Sequence, residues 1–98
     1  MSRRYIAGIV PEQGSGFSVY FPDVPSVVVG GETLEEALDN AASGLCQALK
    51  EIAERNEDAP APSGMVEARA AVAVAREQEG LPCPEDTLYQ YIEAPAWT

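Results

Sequence analysis

The stretch FPDVPSVVVGGETLEEALDN, residues 21–40, restricts the backbone more than any other part of this 98-residue chain. Pro22 and Pro25 lack the amide donor that a central strand needs, so Pro22-Asp23-Val24-Pro25 reads as a tight corner. Residues 26–29 then read as a short strand, and Gly30-Gly31 lets the backbone turn sharply out of it. Thr33 fits a helix N-cap, with Glu36 three residues on at the spacing of a capping box. Corner, strand and helix start thus follow one another within twenty positions, and the flanking segments must be compatible with that order.

Downstream, apolar residues recur at Leu34, Ala37, Leu38, Ala41, Ala42, Leu45, Ala48, Leu49 and Ile52. This spacing predicts an amphipathic helix, with Asn56 as its stop. Upstream, residues 4–10 (RYIAGIV) have strand composition, and residues 11–16 supply a proline and two glycines for a turn. Phe17, Val19 and Phe21 then alternate with Ser18 and Tyr20, the pattern of a half-buried strand, so the two runs form a hairpin. After a proline-stiffened linker over residues 57–62, Ser63 is placed to cap a second helix over residues 65–79. Its apolar positions are small (Val66, Ala70, Ala73, Val74), and Gly80 and Pro82 end it. Residues 86–93 read as a last strand. The order strand, strand, strand, helix, helix, strand predicts an α+β fold. Its sheet is mostly antiparallel, three- to four-stranded, with both helices on one face. A single domain over residues 1–98, with no appended DNA-binding segment, is expected.

Composition excludes most chemistry. The chain has no histidine, which removes the commonest general base and the histidine-dependent triads. Cys46 and Cys83 are far apart with no C-x-x-C spacing, so both read as free thiols and not as zinc ligands. Gly30-Gly31 before a helix start suggests a phosphate cradle, but Glu32, Glu35 and Glu36 occupy the turn where an anion would sit. No acid falls within the first two strands, so a Mg²⁺ nuclease centre cannot be assembled from their faces. Gly14-Ser15-Gly16 lacks both the strand-to-helix context and the base of a nucleophile elbow, and reads as the hairpin turn. No catalytic residue, cofactor or metal is expected.

No apolar run approaches the ~20 residues that span a bilayer, and the N-terminus does not resemble a secretory signal, so a cytoplasmic location is the expectation. Sixteen acids against six bases give a net charge of −10. Such a surface repels nucleic-acid phosphate and anionic lipid. It serves either to keep a small protein soluble or to select a basic partner. The candidate interface residues are Glu35, Glu36 and Asp39 on the outer face of the first helix, with Tyr89, Tyr91 and Trp97 as aromatic anchors. The helix acids read equally as a solvated face, and the aromatics as core.

The segment GFSVYFPDVPSVVVGGETLEEALDNA, followed by the amphipathic helix and the PAPS linker, resembles the HicB family of antitoxins. The matching residues are Gly16-Phe17, Phe21-Pro22-Asp23-Val24-Pro25, Gly31-Glu32-Thr33, Leu34-Glu35-Glu36-Ala37-Leu38, and Pro60, Pro62 and Ser63. Each piece is weak alone and specific in combination. Ser26-Val27 depart from the glycine and small residue that often follow there in the family. The resemblance implies a degenerate, partial RNase H-like fold without catalytic acids, and hence no enzyme activity. It implies a small basic HicA-like mRNA-cleaving toxin as partner, whose RNA-binding surface and catalytic histidine the antitoxin covers. Homodimers or higher oligomers are implied too. The alternative is an orphan module of the same fold, without a toxin, that serves another regulatory contact.

Overall fold

A run of six residues, Tyr5 to Val10, is buried on both sides, and this decides the architecture. In a computed structural model that describes residues 2–95, with side chains from Arg4 to Glu93, these residues lie in strand β1 (Ser2–Pro11). Successive side chains on a strand point to opposite faces. Tyr5, Ala7 and Ile9 therefore face one layer, and Ile6, Gly8 and Val10 the other. Strands β2 (Phe17–Tyr20), β3 (Val28–Gly31) and β4 (Leu88–Pro95) complete an antiparallel sheet in the order β3-β2-β1-β4. The register pairs Gly8 with both Tyr20 and Tyr89, and Tyr5 with Ile92.

Helix α1 (Leu34–Glu54) covers the first face. Its Ala37, Ala41, Leu45 and Leu49, at four-residue spacing, share one core with Tyr5, Ala7, Ile9, Val19 and Ile92. Helix α2 (Met65–Gln78) lies on the other face, where a Cβ on Gly8 would stand 2.8 Å from Val72 Cγ2. The expected element order, antiparallel sheet and α+β class are observed. The placement of both helices on one face is corrected: they sandwich the sheet. The physical reason is β1 itself, because a continuous apolar run cannot leave one face to water.

The corner works by two successive turns. Val24 N–H donates to Phe21 O at 3.1 Å and Val27 N–H to Val24 O at 3.0 Å, which buries Phe21, Val24 and Val27 and leaves the residues between them outside. Strand β3 consequently starts at Val28, two residues later than expected. Gly30 and Gly31 lie within β3, and neither has positive φ. They are needed for close approach: a Cβ would come within 2.4 Å of Phe17 O at Gly30 and 2.5 Å of Ala37 N at Gly31. The start of α1 sits directly against this strand. Glu36 N–H donates to Thr33 Oγ1 at 3.1 Å, and Glu36 Oε1 accepts from Glu32 N–H.

Both helices end in the same way. Asn56 after α1 and Gly80 after α2 adopt positive φ, and the next residue's N–H reaches back to Ile52 O and Arg76 O respectively. That is the six-to-one bond of a Schellman motif. Ser63 does not cap α2. Gly64 is the N-cap, and Ser63 instead donates its N–H to Asp23 Oδ2 at 2.8 Å and its hydroxyl to Asp23 Oδ1. Asp23 thus ties the corner to Ser63, 40 residues later.

Candidate partner-binding surface

Helix α2 rests on the sheet through Ala68, Val72 and Arg76, one residue per turn, and not through the expected Val66 and Val74, which are 79% and 51% exposed. Small residues bring the helix close to Gly8. Arg76, only 1% exposed, then reaches past it to the hairpin. Its Nη1 and Nη2 donate to Glu12 Oε2 at 2.8 Å and Oε1 at 2.9 Å, a two-pronged ion pair. Nε donates to Pro82 O at 2.8 Å and Nη1 also to Tyr20 Oη at 3.2 Å. Ser18 Oγ donates to Glu12 Oε2 at 2.5 Å. The bonds from Arg76 and then Ser18 hold the Glu12 carboxyl below its ordinary value. The same pair holds the guanidinium above the usual arginine value.

Because α2 packs on β1, with Arg69 reaching Tyr89 of β4, the β2–β3 half of that face is left open. A groove of about 390 Å³ remains there, with Tyr20 and Val28 as its floor, Ala71 and Ala75 as its helical wall, and Leu81 closing the end. Val28 is 85% exposed. Glu12 and Glu79 line the groove too, and among the described residues no lysine or arginine does. On the opposite side of α2, two arginines stand against tyrosines of β4. Arg69 stacks over Tyr89 at 4.8 Å and Arg4 over Tyr91 at 5.5 Å.

The expected interface residues fall into two separate groups. Glu35, Glu36 and Asp39 lie exposed in the first turns of α1, on one face of the sheet and beside β3. Glu36 is partly committed to the capping bonds. Tyr89 and Tyr91 lie on β4, on the α2 face at the far edge of the sheet. Both are already engaged by arginines of the same chain, and burial pushes the Tyr89 hydroxyl up. Trp97 lies outside the described residues. Cys46 and Cys83 are unpaired and half-buried, Cys83 Sγ lying 3.8 Å from Tyr89 Oη. Among the described residues no cluster of three potential metal ligands occurs, and no helix is long and apolar enough to cross a membrane.

Sequence reading missed Arg76, Glu12 and the groove. One signal was present: Arg76 continues the four-residue spacing of Ala68 and Val72, so it sits on the packed stripe and not off it.

Comparison with known proteins gives consistent matches. The family described as HicB_like antitoxin of bacterial toxin-antitoxin system matches residues 5–77. Antitoxin HicB 1 of Photorhabdus laumondii is 39% identical over 59 residues, 60% of this chain and 38% of the relative. Antitoxin HicB of Escherichia coli K12 is 37% identical over 60 residues, 61% of this chain and 44% of the relative. The chain thus matches less than half the length of these curated relatives. Among solved structures, the N-terminal domain of Burkholderia pseudomallei antitoxin HicB superposes with a TM-score of 0.66 at 21% identity, over 92% of this chain and 95% of that one. A chain of a toxin–antitoxin complex from Streptococcus pneumoniae gives 0.72 at 18% identity, over 96% and 69%. At such identities the likeness is one of fold.

Proposed function

The chain belongs to the HicB-like antitoxin family of bacterial toxin–antitoxin systems, and from that membership we propose that it neutralises a small basic HicA-like mRNA-cleaving toxin by covering the toxin's RNA-binding and catalytic surface. The observation that carries the reading is the family match across residues 5–77, from the central strand to the end of α2. Charge supports it. A toxin that grips RNA must present a basic face, and a protein of net charge −10 is complementary to such a face. The acids of the first turns of α1, Glu35, Glu36 and Asp39, contribute to that field. Tyr89 and Tyr91 remain proposed contacts of the opposite edge, and Trp97, outside the described residues, remains a proposed contact. Inhibition by cover requires no chemistry from the antitoxin, in keeping with a proposed non-enzymatic role.

The test is coexpression with a HicA-like toxin, taken from the adjoining reading frame where that frame encodes a short basic protein. Growth arrested by that protein alone is restored by coexpression, and the two purify as one complex. If growth stays arrested and no complex forms, the antitoxin reading fails.

A further inference from the structure

We propose that the groove between α2 and the β2–β3 half of the sheet, entered over Val28, seats an apolar anchor of the basic toxin; this rests on the antitoxin reading and adds the surface to it. Four observations converge there. Helix α2 contacts β1 and leaves the adjacent half-face open, so Tyr20 and Val28 form an apolar floor without a covering layer. At 85%, Val28 is the most exposed large apolar residue among those described, and it stands on an edge strand. The room, about 390 Å³, suits one or two large side chains.

The fourth observation is the distribution of charge. Glu79 lines the groove on the α2 side as an acid unpaired among the described residues, whereas Glu12, also in the lining, is neutralised by Arg76. Glu32, Glu35, Glu36 and Asp39 follow β3 on the α1 side, where Asn40 Nδ2 donates to Gly30 O at 2.7 Å. That bond also blunts the glycine end of the edge and leaves Val28 as its open end. The apolar seat is therefore bordered by acids on both sides, while the exposed arginines Arg4 and Arg69 stand across α2 beside β4. A buried apolar contact with a charged surround is the usual form of a hot spot and its rim. A partner carrying a large apolar residue among lysines or arginines fits it. A second copy of this chain does not, because two-fold pairing sets the patch against the same patch and so brings the Glu32 and Glu79 acids of one copy against those of the other.

The experiment measures binding of the full chain to the adjoining-frame toxin, purified with its catalytic histidine replaced. Val28 and Val66 form a matched pair, since Val66 is 79% exposed but lies at the start of α2 away from the groove. V28E weakens binding about 100-fold, because it places a charge in an apolar contact. V66E leaves binding within about twofold. V28K weakens it more than V28E, and V66K matches V66E. Glu79→Lys weakens binding roughly fivefold without lowering the melting temperature, since a cation suits the end of α2. Thermal melts confirm that each variant is folded. Wild-type binding by V28E and V28K overturns the proposal and leaves the antitoxin reading intact. Failure of the wild-type chain to bind overturns both. Dissociation of a dimer of this chain by V28E, seen by light scattering without toxin, assigns the groove to a second copy and also overturns the proposal.

Discussion

Arg76 joins its own helix α2 and the loop just after it, through Pro82 O, to the distant hairpin, through Glu12 and Tyr20. Removing it leaves a partly buried carboxylate without its cation, which costs far more than an exposed pair is worth. Glu12 is 29% exposed at its side chain, so water recovers part of the loss. Arg76→Ala is expected to cost about 2 kcal/mol, read by urea denaturation. Linkage gives an independent check. The folded Glu12 carboxyl titrates below its ordinary value of 4.5, so its contribution is complete above that pH and disappears as the pH falls through the lower folded value. The stability difference between wild type and Glu12→Gln is therefore expected to be largest near neutrality and to shrink on acidification below pH 4.5. A difference that does not change with pH would show that Glu12 is not held by Arg76.

The elements were legible in the sequence to different degrees. Thr33 and Glu36 marked the start of α1, and its four-residue apolar spacing marked its buried face, because local hydrogen bonding and helical period are written in neighbouring residues. Gly30 and Gly31 were expected to turn the chain out of the strand but lie within β3, and only the folded chain shows Phe17 O and Ala37 N pressing on them. For α2 the burial was misread. Val66 and Val74 are more apolar than Arg76, yet what is buried depends on a carboxylate 64 residues away. The two-sided cover of β1 was available in its unbroken apolar run. The seat of α2 on β1 gives a prediction at this scale. Gly8 leaves no room for a side chain under Val72. Gly8→Val should destabilise by about 2 kcal/mol, and Val72→Ala in the same chain should recover part of that, a non-additive double-mutant cycle. Strict additivity would mean that the two residues do not touch.

Across the whole molecule, charge is divided unequally. Acids border the β3 edge, and the exposed arginines Arg4 and Arg69 are stacked on tyrosines beside β4. A field of this kind acts mainly on the rate of encounter with a basic partner. Raising the ionic strength from about 0.05 to 0.5 M is expected to slow association with the toxin roughly tenfold and to change dissociation little, measured by stopped-flow fluorescence. Glu35→Lys with Asp39→Lys should reduce both the rate and its salt dependence. A rate indifferent to salt would leave short-range contacts alone to account for recognition.

The pairing of β1 with β4 has a consequence in time. The hairpin, β3 and α1 are contiguous in the chain, but Tyr5 meets Ile92 only after synthesis has passed through α2 to β4. Contacts between such distant residues form late, because a large loop must close first. On a ribosome adding about 5–20 residues per second, the central strand waits on the order of ten seconds for its second neighbour. Meanwhile β1 keeps one unpaired side, and a nascent chain of this protein is for that interval a sheet with an open middle.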